Sequence, residues 1–574
     1  MKRLLPYMKD YLGYAILSPM LMILEVLADI IIPYLMSLIV DVGIKNQDIN
    51  YIVKVGIAML LAALLAMIFG ILSAHFGARA GFGFASRIRE EAFVKIQGFS
   101  FANLDQFTVS SLITRLTNDC NTIGQVTMMS LRIAIRAPFL MLFALVMSMT
   151  INASLAKIFA VSIPVTMFFL IIVMIKGAPL FKKMQTSVDR VNAAIQENLI
   201  GIRVVKSFNR QKHEEKRFGK RNDALRDVIL EAISLVITLM PILNLIIYST
   251  IIAVLWFGGQ QVAAGIMGDG ELISFITYIT QILISLIMIS VFFMQLMRGT
   301  ASINRVKEVL NTESNIRNSS NPLNELDNGS ISFKNVCFCY PGSKEKALKG
   351  VSFNINSGET LGIIGSTGSS KSTLVQLIPR LYDVEEGEIL VGGVNVKEYD
   401  IEFLREQVAF VLQRNTLFSG TLRENMKWGN EKATDEQIIK ALKIAQAWEF
   451  VSRYDDGLEH RVEQGGENFS GGQKQRLTIA RALIKHPQII VLDDSTSAVD
   501  TATDAKIQNA FKKELGGITT IIIAQRISSV QEADRIIVMD GGEIESFGDH
   551  NTLLKISPIY KEIYESQQKG VVGQ

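Results

Sequence analysis

The sequence predicts a membrane α-helical domain of six transmembrane helices followed by an α/β nucleotide-binding domain built on a phosphate loop. Three observations predict it. Long apolar stretches recur six times before Arg298 and not after it. A soluble-looking half follows, with short β-branched runs and glycine turns. Within that half, an apolar strand leads through a glycine-containing loop into Lys371-Ser372 and a helix-like segment.

Length and composition agree with two domains. The chain has 574 residues, too many for one domain, and is 49% hydrophobic with only 20% charged residues. That is too apolar for an ordinary soluble enzyme of this size. The net charge of +3 is small, so no nucleic-acid partner is expected. No cleavable signal is read at the N-terminus, where Lys2 and Arg3 precede a long apolar segment.

The apolar stretches fall near residues 13–40, 55–75, 133–153, 155–175, 233–257 and 272–297. A helix needs about 20 apolar residues to cross the hydrocarbon core, and each stretch is close to that. Basic residues set the orientation. Lys2, Arg3 and Lys9 precede the first span; Arg79, Arg87, Arg89, Lys95 and Arg115 lie between spans two and three. The connection between spans four and five is also rich in lysine and arginine, from Lys182 to Arg217. Both termini and both long loops are therefore expected in the cytoplasm.

Each long loop is charged and helix-rich, so the spans are expected to continue below the membrane to a turning point. The candidates are Ser110–Asp119 and Asn198–Phe208. Each is read either as a short helix that touches something soluble or as the tip of a solvated hairpin. Glu25 and Asp29 lie one helical turn apart inside the first apolar stretch. Charge there is costly, which favours a position facing the bundle interior. Two roles stand open: cation or proton binding, and interhelical hydrogen bonding that fixes packing. Met288, Met294 and Met297 of span six either line an adaptable surface or pack.

The expected domains are 1–310 for the spans and loops, 311–330 as a polar, turn-rich linker, 331–566 for the nucleotide-binding domain, and 567–574 as a tail. The three cysteines, Cys120, Cys337 and Cys339, fit neither a disulfide framework nor a metal site. Cys337 and Cys339 read as two buried, reduced thiols on one face of a strand.

The phosphate loop runs Gly365, Ser366, Thr367, Gly368, Ser369, Ser370, Lys371, Ser372, Thr373. Backbone N–H groups of such a loop, with the helix N-terminus behind them, cradle phosphate oxygens. Lys371 would reach the β- and γ-phosphates of ATP, and Ser372 would ligate Mg²⁺. Ser370 stands where glycine is expected before the lysine, and a Cβ there alters the backbone's approach to phosphate. The apolar strand Ile489–Asp493 ends in an acid that suits a Mg²⁺ ligand beside the loop.

Between these motifs stands Asn468-Phe469-Ser470-Gly471-Gly472-Gln473. With it, the soluble half resembles the ATP-binding-cassette (ABC) domain over its full length, FSGGQ closely matching that family's LSGGQ signature. Six spans fused ahead of the cassette resemble the family's exporter branch, with its type I exporter fold. The resemblance implies further roles. Tyr340 matches the aromatic that stacks on adenine. Gln413 matches the glutamine that senses the γ-phosphate, meets Mg²⁺ and contacts the membrane half. Ser497-Ala498-Val499-Asp500 matches the loop that crosses to the opposite cassette. Two cassettes in this family meet head to tail, and each ATP lies between one chain's phosphate loop and the other's signature.

Two positions break the family pattern. Asp494 stands where the family places the glutamate that orients or deprotonates the attacking water. Its side chain is one methylene shorter, and a misplacement of about 1 Å costs on the order of 10²-fold in rate. Gln525 stands where the family places a histidine against the γ-phosphate, and glutamine neither carries its charge nor shuttles a proton. Ser370, Asp494 and Gln525 fall in one site, whereas Ser470, Gly471, Gly472 and Gln473 serve the opposite one. The expectation is a heterodimer with a second, fully equipped half-transporter chain, resembling heterodimeric bacterial multidrug exporters in a bacterial plasma membrane. The cargo expected from the resemblance is a drug-like or amphipathic small molecule. The alternatives are an importer on the same fold, a nucleotide-gated or regulatory membrane protein, and a slow homodimeric exporter.

Overall fold

The computed structural model describes residues 4–495, 497–514 and 516–572; Lys2 and Arg3 lie outside them. The chain separates into two compact units. One comprises residues 1–97 and 109–312, the other 98–108 and 313–574.

The first unit holds six helices long and apolar enough to cross a membrane, with helical segments Pro6–Ile44, Ile49–Gln97, Val109–Ala156, Phe159–Ile200, Gln211–Ala263 and Asp269–Asn311. They are far longer than their apolar cores, as the charged loops led one to expect. Spans one to three are built on α1 (Leu12–Leu38) and α2 (Ile49–Gln97), then, after the short helices α3 (Phe101–Gln106) and α4 (Val109–Thr114), on α5 (Cys120–Ala156). Spans four to six are α6 (Phe159–Ile200), α8 (Gln211–Ala263) and α9 (Asp269–Asn311), with the short α7 (Ile202–Ser207) between the first two. Phe275, Tyr278, Ile279, Ile282, Leu283 and Leu286 of α9 form the centre of the apolar cluster.

Several polar groups inside this unit find partners, as an apolar solvent favours. Ser18 and Ser73 each donate to the other's carbonyl, at 2.9 and 3.0 Å. Tyr278 donates to the Ile30 carbonyl at 2.9 Å. Asp41, in a π-helical turn after α1, accepts from the Gly270 and Glu271 N–H groups at 2.7 and 2.9 Å. It thus caps the N-terminus of α9, where the helix dipole favours an anion.

The first loop turns earlier than expected. Its short helix is α3, capped by Ser100 and Asn103, and it belongs to the second unit. The Ser110–Asp119 window instead lies in the first unit. There Asp119 is buried, with Arg305 Nε donating to it at 2.7 Å and Ser302 Oγ at 2.8 Å. A polar stretch that reads as solvent-facing is thus held by residues almost two hundred positions away. In the second loop, α7 stands inside the expected Asn198–Phe208 window, with Ile200, Val204 and Phe208 exposed.

The second unit is α/β. Its strands are β1 (Ile331–Cys339), β2 (Lys346–Ile355), β3 (Thr360–Gly365), β4 (Glu386–Val391), β5 (Val394–Asn395) and β6 (Val408–Val411). After these come β7 (Gly420–Thr421), β8 (Arg461–Val462), β9 (Ile489–Asp493), β10 (Thr519–Ile523), β11 (Arg535–Asp540) and β12 (Glu543–Gly548). One sheet has the order β2-β1-β4-β5 and is antiparallel. The larger sheet runs β12-β11-β3-β10-β9-β6, parallel except for β12. Every residue of β9 and of β10 is buried, as befits central parallel strands covered on both faces.

Two local expectations change. Cys337 is buried, but Cys339 is only half-buried. Register irregularities between Val336 and Phe338 and between Phe338 and Cys339 break the alternation that would pair the two thiols on one face. The terminal segment is not a loose tail as far as Val572, because a helix runs from Pro558 to Val572. Within it, Gln567 accepts from Ile527 N–H and donates to the Gln525 carbonyl, at 2.9 and 2.8 Å.

Candidate functional site

Parallel topology explains why the phosphate motifs meet. The loop after β3, Asp493 and Asp494 at the end of β9, Gln525 just beyond β10 and Gln413 after β6 all lie at the carboxyl ends of neighbouring parallel strands. That is where open α/β sheets bind ligands. They line one cleft of about 340 Å³ that includes Gly365, Lys371, Ser372, Gln413, Asp493 and Gln525. Thr367, Gly368, Ser370, Thr373 and Asp494 also line it.

Lys371 opens the helix α10 (Lys371–Gln376), and its ammonium donates to the Gly365 and Ser366 carbonyls at 3.0 and 2.7 Å. Burial pushes its pKa down, against the opposing pull of Asp493 and Asp494. Ser366 and Ser369 serve the loop itself: Ser369 Oγ donates to the Ser366 carbonyl at 2.8 Å, and Ser366 Oγ donates to Asp540 at 3.3 Å.

Ser370 adopts φ +69°, ψ +24°, the left-handed region, at the N-cap of α10, and its hydroxyl caps nothing. That conformation is cheap for glycine and costs an L-residue about 1–2 kcal/mol. The substitution noted in the sequence therefore sits where the backbone most asks for glycine.

Ser372 Oγ donates to Asp493 Oδ1 at 2.9 Å. Burial raises the Asp493 pKa, and the neighbouring Asp494 adds to the rise. A buried carboxylate beside a hydroxyl and a second acid is a donor set for a hard divalent cation, and these residues fit Mg²⁺. Gln413 lines the same cleft and acts to lower the Asp494 pKa.

Asp494 and Gln525 hold each other: Gln525 Nε2 donates to Asp494 Oδ2 at 2.9 Å. Burial raises the Asp494 pKa, and the hydrogen bonds from Gln413 and Gln525 oppose that rise. Asp494 also has φ +49°, a left-handed conformation that aspartate tolerates better than most residues.

The signature residues stand apart from this cleft. Ser470 caps the helix Gly471–Leu483, accepting from Gln473 N–H at 3.3 Å, while Gln473 Oε1 accepts from Ser470 N–H at 2.8 Å. Gly472 lies against the loop after β9, where a Cβ would meet the Ala498 carbonyl at 2.8 Å. Asp500 caps the helix Thr501–Glu514 by accepting from Thr503 N–H at 2.9 Å. That bond holds its carboxyl below the usual range.

Tyr340 is half-buried, with its hydroxyl 2.9 Å from Thr373 Oγ1 and its ring edge-on to Tyr382 at 5.4 Å. Sequence reasoning missed the residues around it. Tyr382 donates to Asp105 at 2.7 Å and meets the Phe101 ring at 6.0 Å, so α3 of the first loop reaches the aromatic cluster beside the phosphate loop. It also missed Gln475, which donates to Ser497 Oγ at 3.2 Å and accepts from Ala498 N–H at 3.0 Å, locking the signature helix to the loop after β9. Neither pairing has a local sequence signal.

Known proteins agree with this geometry. The ABC transporter transmembrane region matches residues 15–287, and the ABC transporter family matches residues 348–497. The uncharacterized ABC transporter ATP-binding protein YfiB of Bacillus subtilis (strain 168) is 39% identical over 567 residues, covering 99% of this chain and 98% of that protein. The uncharacterized ABC transporter ATP-binding protein Rv1273c of Mycobacterium tuberculosis (strain ATCC 25618 / H37Rv) is 37% identical over 566 residues, covering 98% and 97%. The structure of a bacterial Atm1-family ABC exporter with ATP bound superposes with a TM-score of 0.82. It covers 97% of this chain and 98% of that one at 24% identity, a likeness of fold. With a six-span unit and a phosphate-loop unit in one polypeptide, matched along nearly its whole length, this multi-pass membrane protein belongs to the ABC transporter family.

Proposed function

We propose that the chain is one subunit of an ATP-driven exporter of amphipathic, drug-like compounds, working as a heterodimer in a bacterial plasma membrane with both termini cytoplasmic. Its own cleft binds ATP and turns it over poorly, and its signature completes the catalytic site of the second chain. The observation that carries this reading is the closed pair of Asp494 and Gln525 at 2.9 Å.

The loop N–H groups and Lys371 bind the phosphates, Tyr340 receives the adenine, and Ser372, Asp493 and Gln413 hold Mg²⁺. Bound there, the metal neutralises charge on the β- and γ-phosphates. Asp494 is the candidate base in the cleft, and two features weaken it. Its carboxylate is shorter than glutamate, and one of its oxygens is already engaged by Gln525. Gln525 in turn orients through hydrogen bonds only. Losing a general base costs about 10²–10⁴-fold. Ser470 and the glycines behind it present a helix N-terminus, suited to an anion. Asp500 and the turn around α7, with exposed Ile200, Val204 and Phe208, are the surfaces offered to the second chain.

Photo-crosslinking of an azido-ATP during turnover tests this reading. Label retained on this chain through many cycles, while label on the second chain exchanges, supports it; equal exchange on both contradicts it. A slow homodimer is the second reading, favoured by the carboxylate that Asp494 still places in the cleft.

A further inference from the structure

We propose that Gln567 is a positioning residue for the nucleotide cleft: through it the terminal helix fixes Gln525, and with Gln525 the preference of the cleft for ATP over ADP. The proposal rests on the reading of Gln525 as a γ-phosphate contact and deepens it by naming what holds that contact.

Gln525 needs holding because the strand beneath it has ended. β10 stops at Ile523, and the Ala524 N–H still donates to the Ile363 carbonyl of β3 at 3.1 Å. A short 3-10 turn begins only at Ile527. Between the two, the backbone meets a side chain from the far end of the nucleotide-binding unit. Gln567 Nε2 donates to the Gln525 carbonyl at 2.8 Å, and Gln567 Oε1 accepts from Ile527 N–H at 2.9 Å. One amide thus takes the carbonyl of one residue and the N–H two residues on, as a peptide of a neighbouring parallel strand would. It continues the ladder for one more step, at the residue whose side chain lines the cleft.

The amide is itself held. In the helix Pro558–Val572, Tyr560 is fully buried and its hydroxyl lies 2.8 Å from His550 Nδ1. Ile559, Ile563 and Tyr564 pack on the apolar cluster that contains Ile527. Ile563 and Gln567 are four residues apart and so share a helix face. The face that packs on the core therefore also delivers the amide to the backbone after β10.

From Gln525 the contacts run into the cleft, because Gln525 Nε2 donates to Asp494 Oδ2 at 2.9 Å. Arg526 is tied separately, its Nη1 donating to the Val499 carbonyl at 3.3 Å. That bond anchors the residue beyond Gln525 and leaves the Gln525 carbonyl to Gln567. ADP lacks the γ-phosphate that Gln525 is read to meet. Loosening the clip therefore weakens ATP and spares ADP.

Displacement of TNP-ADP by AMP-PNP and by ADP, with Mg²⁺ and the full-length chain in lipid nanodiscs, tests this. Gln567→Met keeps the length of the side chain and removes both hydrogen bonds. It is expected to weaken AMP-PNP about three- to tenfold and to leave ADP at its wild-type affinity, which also certifies the fold. Gln525→Ala is expected to show the same selective loss, and Gln567→Met added to it changes nothing more, since the two act through one contact. Equal weakening of both nucleotides by Gln567→Met, wild-type affinity for both, or additive losses in the double variant overturns the proposal. If Gln567→Met does not fold, Gln567→Glu decides in its place: it keeps an acceptor for Ile527 N–H but sets an oxygen against the Gln525 carbonyl. The same selective loss is then expected, and its absence overturns the proposal. Gln525→Ala also separates the proposal from the reading beneath it. If Gln525→Ala leaves AMP-PNP binding intact, that reading falls and the proposal with it. If it weakens AMP-PNP while the Gln567 variant does not, the reading stands and the proposal alone falls.

Discussion

Gln525 Nε2 donates to Asp494 Oδ2 across 2.9 Å, so the two positions at which the sequence breaks the expected family pattern are joined to each other. One carboxylate oxygen is thereby withdrawn from any water at the γ-phosphate. Restoring both groups, Asp494→Glu with Gln525→His, is expected to raise turnover in this chain's own cleft by about 10–10²-fold. Each single change should give less than the pair, because each leaves a mismatched neighbour. Phosphate release under conditions where the second site is disabled measures this.

Ser370 carries a left-handed backbone at the head of α10. Ser370→Gly removes about 1–2 kcal/mol of strain and adds back about 0.5–1 kcal/mol of chain entropy. A net gain of about 0.5–1 kcal/mol is expected, seen as a rise of about 1–3 °C in the unfolding midpoint of the nucleotide-binding unit. ATP affinity should not fall.

Asp493 is buried beside Asp494, and burial raises its pKa. A carboxyl with a raised folded-state pKa stabilises the fold most below its ordinary value near 3.8, and that contribution is lost as pH rises through the folded value. At neutral pH the ionised group is therefore a cost to the nucleotide-free protein. Asp493→Asn should raise the unfolding midpoint without nucleotide. It should also lose most of the roughly 2.7 kcal/mol that Mg-ATP at a hundredfold excess over Kd adds to the wild type. Thermal unfolding with and without Mg-ATP shows both effects.

Gly472 has no room for a methyl group, since a Cβ would sit 2.8 Å from the Ala498 carbonyl. Gly472→Ala should displace the signature from the loop after β9. In the proposed two-chain transporter, ATP hydrolysis should drop at least about tenfold, while ATP binding in this chain's own cleft is kept.

Tyr382 and Asp105 are joined at 2.7 Å, and burial, with that bond second, holds the phenol well above its usual range. Tyr382→Phe and Asp105→Asn should each cost about 1.5–3 kcal/mol. A double-mutant cycle should return a coupling of about 1–2 kcal/mol, and additive effects would contradict the contact.

What was readable in the sequence follows a physical division. The spans were readable because about 20 apolar residues per crossing are a local requirement. The cleft was readable because its lining residues come from short local motifs, and Ser370 was visible as the missing glycine. Long-range pairings left no such trace. Ser110–Asp119 has the polarity of a solvated tip, yet Asp119 is buried by Arg305 from the far end of the membrane unit. Nothing local in the sequence links Arg136 to Glu25 and Asp29, and only the fold brings them together. Residue 567 reads as a tail, and only the packed terminal helix shows Gln567 bound to the Gln525 carbonyl. Cys339 departs from the expected face because a register irregularity breaks the strict alternation of β1.

The most direct test is ATP hydrolysis by the purified chain alone and again with its second chain, each with and without Asp494→Asn. The account predicts negligible hydrolysis alone, strong hydrolysis in the pair, and little change on Asp494→Asn in either case. Robust hydrolysis by the chain alone, abolished by Asp494→Asn, would contradict it and make this protein a self-sufficient pump.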